Sequence, residues 1–467
     1  MINKKNNILT TNQINYLSYF ISLVPVALIF GAFIADLIVT FCAIIFCYIS
    51  VKEKLRIIYS YWIVKLLILF CVYLIFKSLI NNEELHSILR SFFYIRYVLF
   101  SLLICYIYNL NPKFTKIFLK ILTSTLIILS MHAYFIHFFS FDILKMNFGE
   151  ISLKQNFTII YNQYGAPYDY RISGLFYSES ILGSYIVKIL PIYLGLVFLN
   201  NKSKKYFILT IIFFFLIIIS GERSSIALSI LFLTNFFLIY NSNIKKKIYY
   251  ISIFFLIFVF VFSNPNLKNR IINNTIFNIT EKSIKTKQAQ DIVKKDELNI
   301  TETEIQSSQS GSNFFKDKLD INIFSLGHQG HFTSAFNIFV DNPIVGIGIK
   351  HFRYECKKPK YKDVYACTTH PHNTYMQLLA ETGIIGFFFI FIIFIYLSYK
   401  IFTLIFFRKV KIKFSNHYKC FLLGVFINFW PLIPTGSFFN NWLSICYFLS
   451  LGFFLGEIYK INSQNKI

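Results

Sequence analysis

Four cations stand where a strongly apolar pattern should hold none. Arg96 and Lys188 fall well inside long apolar runs, and Arg171 and Arg223 lie at the ends of others. A charge at the centre of a bilayer costs about 2.5–3.5 kcal/mol even on the lenient insertion scale. The main acids available to these cations are Glu179 and Glu222, which leaves an excess of positive charge. Buried charge needs a counter-charge, and an anionic ligand would supply one. The arginine guanidinium is a fork that matches phosphate oxygens, so phosphate chemistry is the expectation for Arg171 and Arg223. The bland reading, snorkelling or pairing between helices, is the expectation for Lys65 and Arg90 near the ends of their runs.

The elements that position these residues follow from composition. Of 467 residues, 55% are hydrophobic and 15% charged, with mean hydropathy +0.56. Soluble domains carry about a quarter of charged residues, which excludes a single-core soluble enzyme. The chain reads as an all-α polytopic membrane protein with about 12 transmembrane helices and a large, partly helical periplasmic loop before the last three spans. The spans are predicted near 16–35, 36–51, 59–80, 88–108, 114–140, 176–199, 206–220, 222–240, 247–263, 384–407, 418–434 and 438–456. The start, Met1 to Asn15, is polar, and the first apolar run lacks a small-residue cleavage site, so it is expected to stay as the first helix.

The net charge of +24 is a topology signal and not a nucleic-acid one. The cations sit in short runs between spans, such as Lys52/Lys54/Arg56, Lys113/Lys116/Lys120, Lys245–Lys247 and Arg408/Lys409/Lys411/Lys413. With both termini cytoplasmic, these runs fall inside, and Asp36, Glu83, Glu84, Asp142, Glu150, Asp169 and Glu222 fall outside. The organisation expected is residues 1–263 as spans one to nine, with a smaller periplasmic loop near 141–175. Residues 264–383 form the large periplasmic loop, flexible over 281–313, and 384–467 hold the last three spans and a cytoplasmic tail. Within the large loop, Gly330–Val340 reads as an amphipathic helix with Phe332, Phe336, Phe339 and Val340 on one stripe, ended by Pro343. A second helix should follow His372, presenting Tyr375, Leu378 and Leu379, and stop or bend at Gly383.

Six of the eight cysteines lie in or near spans, where they serve as small apolar packing. Cys356 and Cys367 stand together in the long loop, on the side that topology makes oxidising, and a disulfide between them is expected. Zinc held with His370 and His372 is the alternative, but the spacing fits no standard motif, and no metal is assigned.

The segment Thr369–Gly386 resembles the signature of the O-antigen ligase and polymerase superfamily: His372, Asn373, Gly383 and Gly386 fill its positions. Upstream, Asn342–Pro343–Ile344–Val345–Gly346–Ile347–Gly348 through Phe352–Arg353 is similar to the family's Asn-Pro, Gly-x-Gly and Phe-Arg stretch. Arg171–Phe176 and Ser220–Ser225 are similar to its two membrane-edge arginine motifs. One such match is weak; four in order are specific. By motif the resemblance spans about Arg171 to Phe387.

The resemblance implies a metal-independent glycosyltransferase of the bacterial inner membrane, with its active site at the periplasmic face and no cofactor. The donor would be a glycan on undecaprenyl pyrophosphate. The acceptor would be lipid A–core in a ligase, or a lipid-linked glycan in a polymerase, and O-antigen ligation in lipopolysaccharide biosynthesis is the leaning. Membrane lipids are the other partners, and no nucleic acid is expected. By family position Arg171 and Arg223 would hold the pyrophosphate, and His372 would orient or deprotonate the acceptor hydroxyl. An imidazole near its ordinary pKa of about 6.5 suits that work. Arg353, Glu222, Lys188, Arg96 and Asn373 complete the expected site as substrate-binding residues. Arg353 has an alternative as a fold-stabilising partner of Asp341 or Glu355, and Glu222 could pair with Arg223 or share base duty. A lipid-linked sugar flippase is a more distant alternative; it has no use for a long outward loop carrying His372. No internal repeat of the kind found in solute transporters is evident.

Overall fold

The computed structural model describes residues 8–80, 85–139, 171–176, 179–201, 204–240, 326–362 and 367–464, with isolated positions between 252 and 268. In chain order the helices are α1 (Thr11–Ser22), α2 (Val24–Phe30), α3 (Ala32–Lys52), α4 (Arg56–Tyr59), α5 (Trp62–Ile80), α6 (Leu85–Phe93), α7 (Ile95–Leu110) and α8 (Phe114–Phe139). A 3-10 turn at Gly174–Phe176 precedes α9 (Leu182–Leu199), α10 (Lys204–Ile219) and α11 (Arg223–Ile239). The rest are α12 (Leu326–Asp341), α13 (Phe352–Glu355), α14 (Thr374–Phe406), α15 (Arg408–Lys413), α16 (Asn416–Asn428) and α17 (Asn441–Gln464). No strand occurs among the described residues.

Eight helical segments among the described residues are long and apolar enough to cross a membrane, which makes the chain a multi-pass membrane protein. The remaining apolar helices of the expected twelve are shorter, α10, α11 and α16, and the expected span 247–263 lies largely outside the described residues, as do the loop 141–170 and the linker 281–313.

Several boundaries differ from expectation for local reasons. The first two spans part at Gly31, whose φ of 127° is a conformation only glycine takes readily. Asp36, expected in an outward loop, is therefore one turn into α3. The eleventh span ends at Asn428 and not near 434, because Pro431 and Pro434 cannot continue a helix. In α12 the buried face is His331, Phe332, Ser334, Ala335 and Ile338, while Val340 is exposed. The phenylalanine stripe alone misplaced the inward face by about one position.

Packing follows the membrane rule that helices buried all round form the centre. α7, α9, α16 and α17 are enclosed, and α7 lies along α17 as α9 lies along α16. α3 instead exposes Phe33, Leu37, Phe41, Ile44 and Tyr48, a helical stripe that suits lipid. Small residues set the closest approaches. Gly452 and Gly456, four apart on α17, abut Ile104 and Tyr108 of α7. A methyl on Gly452 would come within 2.7 Å of the Ile104 Cβ. Gly452→Leu should therefore destabilise the bundle by about 1–3 kcal/mol through overpacking, visible as a lowered melting temperature in detergent; an unchanged melt would show that the α7–α17 seam yields.

The far ends of the helices are tied together by Glu53 with Tyr106 (2.8 Å), Tyr61 with Tyr459, and Thr115 with Asn200 (3.4 Å). That end carries Lys52, Lys54, Lys113 and Arg408–Lys413. His372 lies at the other end, where Tyr73 of α5 donates to the Thr382 carbonyl (2.6 Å).

Candidate active site

His372 is placed by the start of α14. Asn373 is the N-cap: its Oδ1 accepts from the backbone N–H groups of Tyr375 (2.9 Å) and Met376 (3.1 Å). This satisfies donors that a helix start leaves orphaned. Asn373 was expected on the substrate; here it caps the helix, and its amide donates to the Pro431 carbonyl (2.7 Å). His372 itself has φ 55°, a left-handed conformation that costs a non-glycine residue about 1–2 kcal/mol. Its carbonyl accepts from the Thr435 N–H (2.8 Å), which holds the conformation.

The segment after α16 forms the floor under this helix start. The Tyr375 hydroxyl donates to the Phe429 carbonyl (2.7 Å), Gln377 Nε2 donates to Ser437 Oγ (2.9 Å), and the Phe438 N–H donates to Gln377 Oε1 (2.8 Å). By its apolar pattern most of this segment was expected within a span. The pair Pro431 and Pro434 with Gly436 was the available signal that the backbone there is irregular and must find partners outside a helix.

The His372 ring lies among three other histidines, with centroids at 4.2 Å (His370), 5.0 Å (His331) and 5.6 Å (His328). His328 and His331, three apart on one face of α12, were not anticipated. Burial, then the charges these neighbours would carry, pushes the His372 pKa down to about 3; burial likewise pushes His370 to about 4. The ring is thus neutral at pH 7, well below the ordinary value that the sequence suggested. Thr368 assigns its tautomer. The Thr368 hydroxyl donates to the His370 carbonyl (2.9 Å), so towards His372 Nε2 (3.3 Å) it accepts. Nε2 then carries the proton and Nδ1 is the bare nitrogen.

The loop ahead of His372 is clamped by a disulfide, Cys356–Cys367. Ala335 and Ile338 of α12, Phe352 and Cys356, Tyr361, and Ala380 of α14 form a small core around it. The Cys367 N–H points to His331 Nδ1 (3.4 Å), so the bridge and the histidine cluster share a wall. Cys356→Ser should cost about 3 kcal/mol, the order expected for closing a short loop, and should blunt any activity that depends on His372. The same melt before and after reductant would show the bridge to be dispensable.

A second clamp comes from Gly383, where α14 bends (φ 63°, ψ −171°). The bend breaks the helical hydrogen bonds, and the segment 343–348 takes the freed groups. Ile347 N–H donates to the Ala380 carbonyl (3.0 Å), Gly348 N–H to the Glu381 carbonyl (2.9 Å), and Ile384 N–H to the Pro343 carbonyl (2.8 Å). A side chain on Gly346 or Gly383 would strike the opposing backbone. Glu381, fully buried, accepts from the Phe352 N–H (3.2 Å) and from Gln377 Nε2 (2.9 Å). The segment that leads to Arg353 is thereby fixed to the helix that carries His372.

Arg171 and Arg223 come together. The Ile172 N–H donates to the Ser220 carbonyl (3.2 Å), which joins the segment 171–173 to the turn before α11, and the two guanidinium groups are within electrostatic reach of one another. Arg223 is the first residue of α11, where the helix dipole adds positive potential. α11 in turn packs against α14.

The other predicted residues prove to have internal partners. Arg96 makes a bidentate pair with Asp36 (2.8–3.0 Å), and Asn441 and Tyr97 bind the same carboxylate. Its counter-charge is thus Asp36, which the sequence reading had put in a loop. Glu222 accepts from Gly183 N–H (2.6 Å), Ser184 N–H (3.0 Å), Ser184 Oγ (2.7 Å) and Ser225 Oγ (3.0 Å). Its lone pairs tie the start of α9 to the N-terminus of α11. Lys188 is buried inside the bundle, donating to Asn428 Oδ1 (3.3 Å) over the Tyr447 ring. Arg353 is different. The carboxylates offered as its partners are engaged elsewhere, Asp341 with Lys360 (2.8 Å) and Glu355 with Lys358 (2.7 Å), and its buried Nε has no hydrogen-bond partner among the described residues.

Comparison with known proteins agrees with the resemblance in the sequence. A family model described as O-antigen ligase matches residues 208–391. That stretch takes in Arg223, Arg353, both loop cysteines, His372 and the bend at Gly383, and leaves Arg171 outside. No curated protein matches the chain.

Proposed function

We propose, for a chain whose residues 208–391 support a place in the O-antigen ligase superfamily, a specific form of membrane glycosyl transfer. The glycan leaves undecaprenyl pyrophosphate for an acceptor hydroxyl at the periplasmic face of the inner membrane, with O-antigen ligation to lipid A–core as the leading reading. The carrying observation is His372: a neutral imidazole with an assigned bare nitrogen, pinned through Thr435 and Thr368 at one end of an apolar helix bundle.

In this reading the acceptor O–H gives its proton to His372 Nδ1 as its oxygen attacks the anomeric carbon. The bond from that carbon to the pyrophosphate oxygen breaks, and its electron pair leaves with the pyrophosphate. Arg171 and Arg223 neutralise that charge as it develops, the kind of preorganised stabilisation that dominates many enzymes. One displacement inverts the sugar carbon. The low pKa of His372 makes it a weak base in the free protein, and bound phosphate charge would raise it. The cation-rich loops at the opposite end of the bundle support this reading, in which His372 faces the periplasm and both termini are cytoplasmic.

The test is transfer by purified protein from a lipid-pyrophosphate glycan, in the absence of divalent metal. Glycan on lipid A–core identifies a ligase; longer lipid-linked chains identify a polymerase. Neither product, with several donors, would overturn the reading. A pH profile adds an independent check. The acid limb of kcat/KM should fall well below pH 6.5, since the free protein holds His372 near 3. The limb of kcat should lie higher, because bound pyrophosphate favours the protonated ring; coincident limbs near 6.5 would contradict the assigned base.

A further inference from the structure

The end of the bundle opposite His372 holds a cavity of about 240 Å³ that the transfer reading does not use. It is lined by the start of α5, the later turns of α14 and α17, and the junction of α15 with α16. Two cations line it, Lys400 and Lys413, and no acid does among the described residues. Lys400 stands six residues before the end of α14, about 9 Å into that apolar helix. Its ammonium lies over the Tyr396 ring (5.5 Å to the centroid), which attracts a cation without neutralising it. Lys413 ends the basic helix α15 and is exposed. Glu457, on the neighbouring stretch of α17, is engaged with His417 (2.8 Å) and Tyr108 (2.7 Å). The other walls are aromatic and aliphatic. Trp62 meets Tyr396 edge-on (4.8 Å between centroids), Phe414 stacks on Tyr418 (4.5 Å), and Leu455 and Ile458 supply an apolar side.

We propose that this cavity holds the headgroup phosphate of an anionic phospholipid from the leaflet at that end of the bundle. Charge selects the ligand: two lysines with no carboxylate beside them act as point charges for a phosphate. The walls select a lipid over a soluble phosphate. Tryptophan and tyrosine rings mark the headgroup level of a bilayer, and Trp62 of the cavity is exposed, as are Tyr399 and Phe402 on the same stretch of α14. The volume falls below the roughly 300–1,000 Å³ of pockets that enclose a drug-sized ligand, which suits a headgroup whose chains stay in the bilayer. α15, with Arg408, Lys409, Lys411 and Lys413 between two apolar helices, is a basic segment of the kind that gathers anionic lipid. A lipid held there would bind α5, α14 and α17 together at the end remote from His372. Neither His372 nor Arg171 and Arg223 enter the argument, so the site stands or falls apart from the transfer reading.

The test is native mass spectrometry of the full-length protein, released from detergent after incubation with an equimolar mixture of phosphatidylglycerol and phosphatidylcholine. Phosphatidylglycerol should be retained in preference by about 10- to 30-fold, the worth of two lysines beside an anionic headgroup. Lys400→Gln with Lys413→Gln should remove the preference, the exposed Lys413→Gln alone should lose part of it, and arginine at both positions should keep it. Lys52→Gln with Lys113→Gln, which removes the same charge from the same end outside the cavity, should leave it intact. Phosphatidylglycerol should also raise the melting temperature of the parent and not that of the Lys400/Lys413 glutamine pair, because a ligand of the folded state stabilises it. Equal melting temperatures in phosphatidylcholine would show that the variants fold. Equal retention of the two lipids, or a preference that survives the Lys400/Lys413 pair, overturns the proposal. Loss of the preference in the Lys52/Lys113 pair as well would make it the general attraction of a basic end for anionic lipid, and overturns the cavity. Displacement of the retained lipid by inorganic phosphate would assign the cavity to a soluble anion, and overturns the lipid.

Discussion

Replacing His372 by asparagine is expected to lower glycan transfer by about 10²–10⁴-fold, the usual contribution of a positioned general base. Asparagine is the better probe because it tolerates the left-handed backbone that His372 adopts (φ 55°), whereas alanine would add strain to the loss of the ring. Thr368→Ala should lower the rate less, since it frees the tautomer and leaves the imidazole in place, and Thr368→Ser should restore it. The two readouts separate chemistry from packing. A melting temperature like the parent's with transfer lost assigns His372 to the reaction. A rate within about threefold of the parent's, well short of what a lost base costs, would assign it to the loop's architecture, together with Asn373.

Arg223→Ala and Arg171→Ala are each expected to cost about 10²–10³-fold in kcat, the range seen when one preorganised donor to a developing negative charge is removed. The double variant should lose less than the product of the two, because the residues act on the same charge. Lysine at either position should recover only part, as it keeps the charge and loses the fork. A raised KM with unchanged kcat would mean that the arginines hold donor and transition state alike, and the leaving-group role would then fall. Glu222→Gln bears on the same region by another route. It keeps the shape but weakens the acceptor of four hydrogen bonds, three of them from the start of α9 to the N-terminus of α11, so it should lower stability and activity together.

Two of these cations show how architecture can answer a buried charge. Arg96 and Lys188 looked the most unusual in the sequence, deep in apolar runs, and both are answered by groups within the fold. Depth in a span measures only how costly a lone charge would be; whether the charge is lone depends on partners far away in the chain.

What the sequence determined by itself was local in origin. Apolar run length dictates which segments cross the membrane, Gly383 marks the bend in α14, and the Asn373 cap sets where that helix begins. All of these depend on residues within a turn or two, so spacing and type are enough. The motif around His372, read as a resemblance, singled out the residue on which the proposed active site is centred. Tertiary structure alone decided which groups answer the buried cations. Asp36 lies 60 positions from Arg96, and Asn428 lies 240 from Lys188. It also decided that His328 and His331 of α12 surround His372, and that the irregular segment 429–438 forms the floor beneath it. No short-range pattern encodes these meetings, because they come from which helices pack side by side and how close small residues such as Gly452 let them approach.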